Sequence, residues 1–117
     1  MDYEKDSFED IVSKDPRYNA RAYTLLMDVF ECLQKEMHDV PADAILDDFR
    51  NAALDEFGPL AFRVLEEWGV KRCEDVGEMM FNLTDSGRIA KSDNDTKESF
   101  LGGYDFHEAF LMPFEPQ

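Results

Sequence analysis

The placement of proline and glycine constrains this chain more than any other feature. Pro16, Pro41 and Pro59 stand where helices can begin, and Gly58, Gly69 and Gly87 stand where helical runs would stop. Proline lacks an amide and pushes the preceding residue out of the α region, yet its fixed φ suits the first turn of a new helix. Glycine accepts the left-handed conformation in which many helices end. The intervals between these marks read as helices, and their apolar spacing agrees.

Asp15-Pro16 reads as an N-cap followed by proline at the first helical position of a long helix. Ala22, Leu26, Val29, Phe30, Leu33 and Met37 form one stripe along it, with Asp28, Glu31, Lys35 and Glu36 on the other side. Cys32 falls in the same apolar pattern and reads as a small core residue. His38-Asp39-Val40-Pro41 breaks the pattern, and Pro41 restarts a helix to about Phe57 that turns Ile45, Phe49, Ala53 and Phe57 inward. Pro59 opens a third helix with Leu60, Val64, Leu65 and Trp68 on its apolar face, closed by Gly69. Asp75 caps a fourth, with Val76, Met79, Met80 and Leu83 buried, Phe81 as a further core candidate and Gly87 at its end. Ahead of them all, Phe8, Ile11 and Val12 mark an amphipathic arm too short to be stable alone.

Beyond Gly87 the pattern thins. Ile89, the turn signal Asp93-Asn94-Asp95 and Phe100-Leu101 before Gly102-Gly103 fit a short β-hairpin, and a capped helical turn from Asp95 fits as well. Asp105 with Glu108 is a capping-box pattern for a last helical stretch from Phe106 to Met112, before Pro113. From Phe100 to Gln117 the chain has eight large apolar side chains, Phe114 the last of them, and no Lys or Arg. So apolar a segment is expected to dock, across the long first helix and the Trp68 region. The expected fold is mainly α and a single domain over 1–117. It comprises an arm at 1–14, a small bundle of four to five helices within 15–87, and a hairpin or loop with a docking segment at 88–117. The order of helix, turn, helix and hairpin in the second half is winged-helix-like.

Charge narrows the function classes. Twenty-seven acidic against twelve basic residues give a net charge of −15, a field that repels nucleic acid and anionic lipid unless the basic residues cluster. Lys71, Arg72, Arg88, Lys91 and Lys97 fall around the turn and hairpin as a candidate basic rim, which keeps a winged-helix-like nucleic-acid-binding protein as one alternative. The helix that would read the groove, however, carries Asp75, Glu78 and Asp85 and neither Lys nor Arg. No apolar run approaches a membrane span, and the acidic start Met1-Asp2-Tyr3-Glu4 is unlike a signal peptide, so a cytoplasmic location is expected. Cys32 and Cys73 are then free thiols.

Motifs of established chemistry are missing from the sequence. His38 and His107 have no metal-ligand spacing, and Asp93 and Asp95 open like a calcium loop but meet Glu98 where glycine is needed. Asp43 and Asp47, four apart on a helix, read as solvated, and Gly102-Gly103 lacks the strand-then-helix setting of a phosphate loop. Asn82-Leu83-Thr84 and Asn94-Asp95-Thr96 match the glycosylation pattern without the compartment that would use it. No cofactor is expected.

The segments Asp15-Pro16-Arg17-Tyr18, Phe57-Gly58-Pro59-Leu60-Ala61, Trp68-Gly69-Val70, Glu74-Asp75-Val76-Gly77-Glu78 and Tyr104-Asp105-Phe106 together resemble an uncharacterised bacterial family of small proteins found mainly in Planctomycetes and Verrucomicrobia. The resemblance covers nearly the whole chain. It implies a bacterial cytoplasmic protein and transfers no catalytic residues.

The expected function is a non-enzymatic protein-interaction or regulatory adaptor with a protein partner, because catalytic motifs are missing while ten Phe and six Met exceed what a small core needs. A second alternative is a small-molecule or enzymatic site near His107, Asp105 and Tyr104, where a histidine beside a carboxylate could act as a base. Arg17 and Asn82 are the remaining polar residues of interest. Their structural reading has Arg17 pairing with a nearby carboxylate and Asn82 tying down the segment around Tyr104.

Overall fold

The structure, a computed structural model, describes residues 8–37, 40–89, 97–101 and 103–114, with 97 and 98 described by their backbone alone. Six α-helices lie among them: α1 (Glu9–Lys14), α2 (Ala20–Gln34), α3 (Ala42–Phe57), α4 (Ala61–Glu67), α5 (Cys73–Asp85) and α6 (Phe106–Phe110). Short 3-10 turns occupy Gly58–Leu60, Lys97–Phe100 and Met112–Phe114. The helical bundle is as expected, but the hairpin is not supported: the described residues contain no strand, and Lys97–Phe100 is a helical turn. The reason is Phe100, which is buried against Gly77 on α5 and needs a compact turn to reach it. Residues 90–96 of the expected hairpin lie outside the described residues.

Several helices start elsewhere than the sequence suggests. Pro16 does not open α2; residues 15–19 form a separate turn, and Asn19 is the N-cap, its side chain accepting from the Arg21 amide at 2.9 Å. That turn is held on the end of α4, where the Asn19 amide donates to the Trp68 carbonyl at 3.0 Å. Gly69 makes the approach workable: its φ is 90°, and a Cβ there would collide with the Arg17 carbonyl. Helix α5 begins at Cys73, not at Asp75, whose carboxylate instead reaches back from the first turn to the amides of Lys71 (2.9 Å) and Arg72 (3.1 Å).

The helix stops are as expected. At Gly69 the Val70 amide donates to the Leu65 carbonyl (2.8 Å) and the Gly69 amide to Glu66 (3.0 Å), and the same double bond pattern closes α5 at Gly87.

One buried cluster runs from Phe8 to Phe110 and includes most of the expected stripes of α2, α3 and α5, with Phe57 and Met80 only partly buried against it. Tyr18, Tyr23 and Leu25 join it unforeseen. Four residues expected inside are exposed: Cys32, Met37, Leu60 and Phe81. Leu60 precedes the first turn of α4 and faces outward, and Phe81, two positions past Met79, is turned about 200° from the buried line of α5. Trp68 is only partly buried, edge-on to Phe57 at 5.4 Å between centroids.

The C-terminal segment docks, on a different surface from the one expected. Helix α6 packs against α4 and α3, since the inner face of α2 is already taken by α3 and by Phe8 stacked on Tyr23. Asp105 caps α6 as expected, accepting from the Glu108 amide at 3.2 Å.

Candidate functional site

Two groups of polar residues invite a functional reading. The first is a hub that joins the 15–19 turn to α2 and α5. Asp15 accepts from Arg17 Nε (2.8 Å) and Nη2 (2.7 Å) in a two-pronged pair, and from Asn82 Nδ2 at 2.9 Å. Asn82 also donates to the Tyr23 hydroxyl (3.0 Å), and Arg17 Nη2 lies 3.4 Å from Glu78. Beside them the Tyr18 hydroxyl donates to Asp75 at 2.6 Å, under the Arg17 guanidinium 5.0 Å from the Tyr18 ring centre.

The electrostatics follow from these contacts. The Arg17 hydrogen bonds hold the Asp15 carboxyl far below the ordinary carboxylate range, with Asn82 adding to the effect against the opposing cost of burial. Burial pushes the Tyr18 phenol well up, and the Asp75 carboxylate beside it adds to that. Burial likewise raises Tyr23, against the Asn82 hydrogen bond. Asp15 is thus a spent anion and Tyr18 a firmly protonated donor, which suits a clamp and not a proton relay. Arg17 does pair with a nearby carboxylate, but Asn82 ties down Asp15 and Tyr23 rather than the segment around Tyr104.

The second group lines an open groove of about 440 Å³ at the head of α5. Phe62 of α4 and Tyr104 and Phe106 of the C-terminal segment supply aromatic walls, and Lys71, Arg72 and His107 supply basic side chains. Glu74 and Asp105 line it too. The sequence-predicted Tyr104, Asp105 and His107 therefore meet two members of the expected basic rim. They do not form a relay: Asp105 Oδ1 accepts from the Glu108 amide, and the Tyr104 hydroxyl turns inward to the Leu46 carbonyl at 2.7 Å. Beneath the groove the Cys73 thiol donates to the Tyr104 carbonyl (3.4 Å) and accepts from the Tyr104 amide (3.3 Å). Burial raises the pKa of both Cys73 and Tyr104, so this thiol is not a ready nucleophile. Gly103 seals the contact, because a Cβ there would stand 2.7 Å from Cys73 Sγ.

The rest of the basic rim is placed apart. Arg88 follows the far end of α5, roughly 20 Å along the helix from Lys71 and Arg72. There it forms a two-pronged pair with Asp10 (2.8 and 3.0 Å) and lies 5.1 Å from the Phe8 ring centre, clamping α1. That contact lowers the Asp10 pKa. Lys91 and the Lys97 side chain lie outside the described residues, as do His38, Asp93 and Asp95. Among the described residues no three His, Cys, Asp or Glu side chains gather as metal ligands, and no helix is long and apolar enough to cross a membrane.

Sequence reasoning missed Asp15, Tyr18 and Tyr23 as hub members and the coupling of Cys73 to Tyr104. The short spacing of Asp15 and Arg17 was a readable signal; the contacts across 57 to 67 residues of chain had none. Comparison with models of known protein families, with curated proteins and with solved structures finds no match to this chain.

Proposed function

We propose that this protein is a cytoplasmic protein-interaction or regulatory adaptor, and that the turn Met112–Phe114 is part of its binding surface. The observation that carries the reading is a division within the C-terminal segment. Phe106, Ala109 and Phe110 are core, whereas Met112 and Phe114, immediately beyond them, remain 48% and 45% exposed. Leu101 at 57% adds to the apolar surface of the same third of the chain. Exposed Met and Phe side chains are costly to leave in water and adapt readily to a partner's shape. The resemblance to small bacterial proteins belongs to this reading and brings no residue roles to it.

The test is parallel affinity purification from the native cell with the wild-type chain and with Met112→Ser/Phe114→Ser. A partner retained by the wild type and lost by the double variant, with thermal unfolding unchanged, is the expected result. A partner held equally by both chains, or by neither, contradicts the assignment. The nucleic-acid alternative receives no support from the geometry, because α5 carries no basic residue and Arg88 is engaged with Asp10.

A further inference from the structure

Lys71 and Arg72 line the groove at the head of α5, are exposed, and form no ion pair among the described residues. In a chain of charge −15 that is informative, because carboxylates stand next to them in sequence. Asp75 is committed elsewhere: its carboxylate takes the backbone amides of Lys71 and Arg72 and the Tyr18 hydroxyl, and among the described residues it makes no ion pair with either side chain. Asp105, on the same lining, is engaged with the Glu108 amide.

The charges on the lining select among anions. A phosphate or other dianion would meet the two cations but also Glu74 and Asp105, whereas a carboxylate carries one charge and matches the planar fork of an arginine. Phe62, only partly buried, offers aromatic surface in the same concavity. Its volume of about 440 Å³ suits a small ligand. The tight seat of Gly103 against Cys73 and Leu46 fixes the C-terminal side of the groove on α5, so that wall is preformed. The geometry points to a binding site for a small aryl carboxylate, its carboxylate held by Lys71 and Arg72 and its ring set against Phe62. The site is independent of the Met112–Phe114 surface and stands or falls without it.

Titration of the isotopically labelled full chain with phenylacetate, followed by amide chemical shifts, tests the assignment. Saturable shifts confined to residues 61–63, 71–74 and 103–107, with a Kd of about 1 mM for so small a probe, are expected. Phenylacetamide, the same shape without the charge, should bind roughly tenfold more weakly, as should phenylacetate to Lys71→Gln/Arg72→Gln. Both substituted side chains are exposed and the amides that cap α5 are retained, so the double variant should keep the wild-type spectrum elsewhere. No saturable shift with phenylacetate, equal binding of the amide, undiminished binding by the double variant, or tighter binding of inorganic phosphate would each overturn the proposal.

Discussion

Asp15 receives donors from Arg17 on its own turn and from Asn82 on α5, and through Asn82 it is joined to Tyr23 on α2. Each contact favours the ionised carboxylate, and the depressed pKa is the record of that preference. A carboxyl group whose folded pKa lies below its unfolded value of about 3.9 contributes stability that is fully present above that value and is lost as pH falls from there through the folded pKa. Asp15→Asn should therefore cost on the order of 1–2 kcal/mol at neutral pH. The gap in Tm between the two proteins should close progressively as the pH is lowered from about 5 to about 2. Thermal unfolding across that range checks it, and a gap independent of pH would show that the carboxylate charge plays no part. At this scale Asn82 was legible as a polar residue in an otherwise apolar stretch and Arg17 as the partner of a nearby carboxylate. Their meeting was not, because no local rule brings residues 15 and 82 to one point. Cys32 misled for a related reason: it shares a flank with Leu25, itself at the edge of the core at 9% exposure, and only tertiary packing decides how far along that flank cover extends.

Among the elements, the punctuation of α3, α4 and α5 was read correctly at their C-terminal ends, since Gly58, Gly69 and Gly87 all take positive φ. The N-terminal ends were harder to read. Pro16 satisfies the rule for a first helical position, yet the docking of residues 15–19 on α4 delays α2 to Ala20. Gly77 is the clearest case of tertiary structure overriding local preference. Within a helix, Gly→Ala ordinarily stabilises by about 1 kcal/mol. Here an added Cβ would sit 2.9 Å from the Phe100 Cβ, an atom close to the backbone that cannot swing aside. Gly77→Ala is expected to lower stability by about 1–3 kcal/mol, because the Lys97–Phe100 turn must shift off α5. Urea unfolding measures the sign directly, and an unchanged or raised midpoint would mean that the turn does not rest on that face.

Over the whole molecule, the sequence led to a helical bundle with a docked C-terminus but misjudged where that C-terminus lands. Helix α3 meets α2 and also α6 and the Lys97–Phe100 turn, so the C-terminal third completes the core against α3. The groove was legible only as the triplet Tyr104, Asp105 and His107; that it opens toward Lys71 and Arg72 depends on how α6 meets the head of α5. The central claim is that one short apolar segment divides into core and displayed surface. Thermal unfolding of Phe110→Ala beside Phe114→Ala tests it most directly, because the two phenylalanines are one helical turn apart and only the first is buried. Phe110→Ala should cost about 3–5 kcal/mol and lower Tm by more than about 10 °C, while Phe114→Ala should stay within about 2 °C of wild type. Equal losses in the two variants, or a larger loss at Phe114, would contradict the division and return the whole segment to the core.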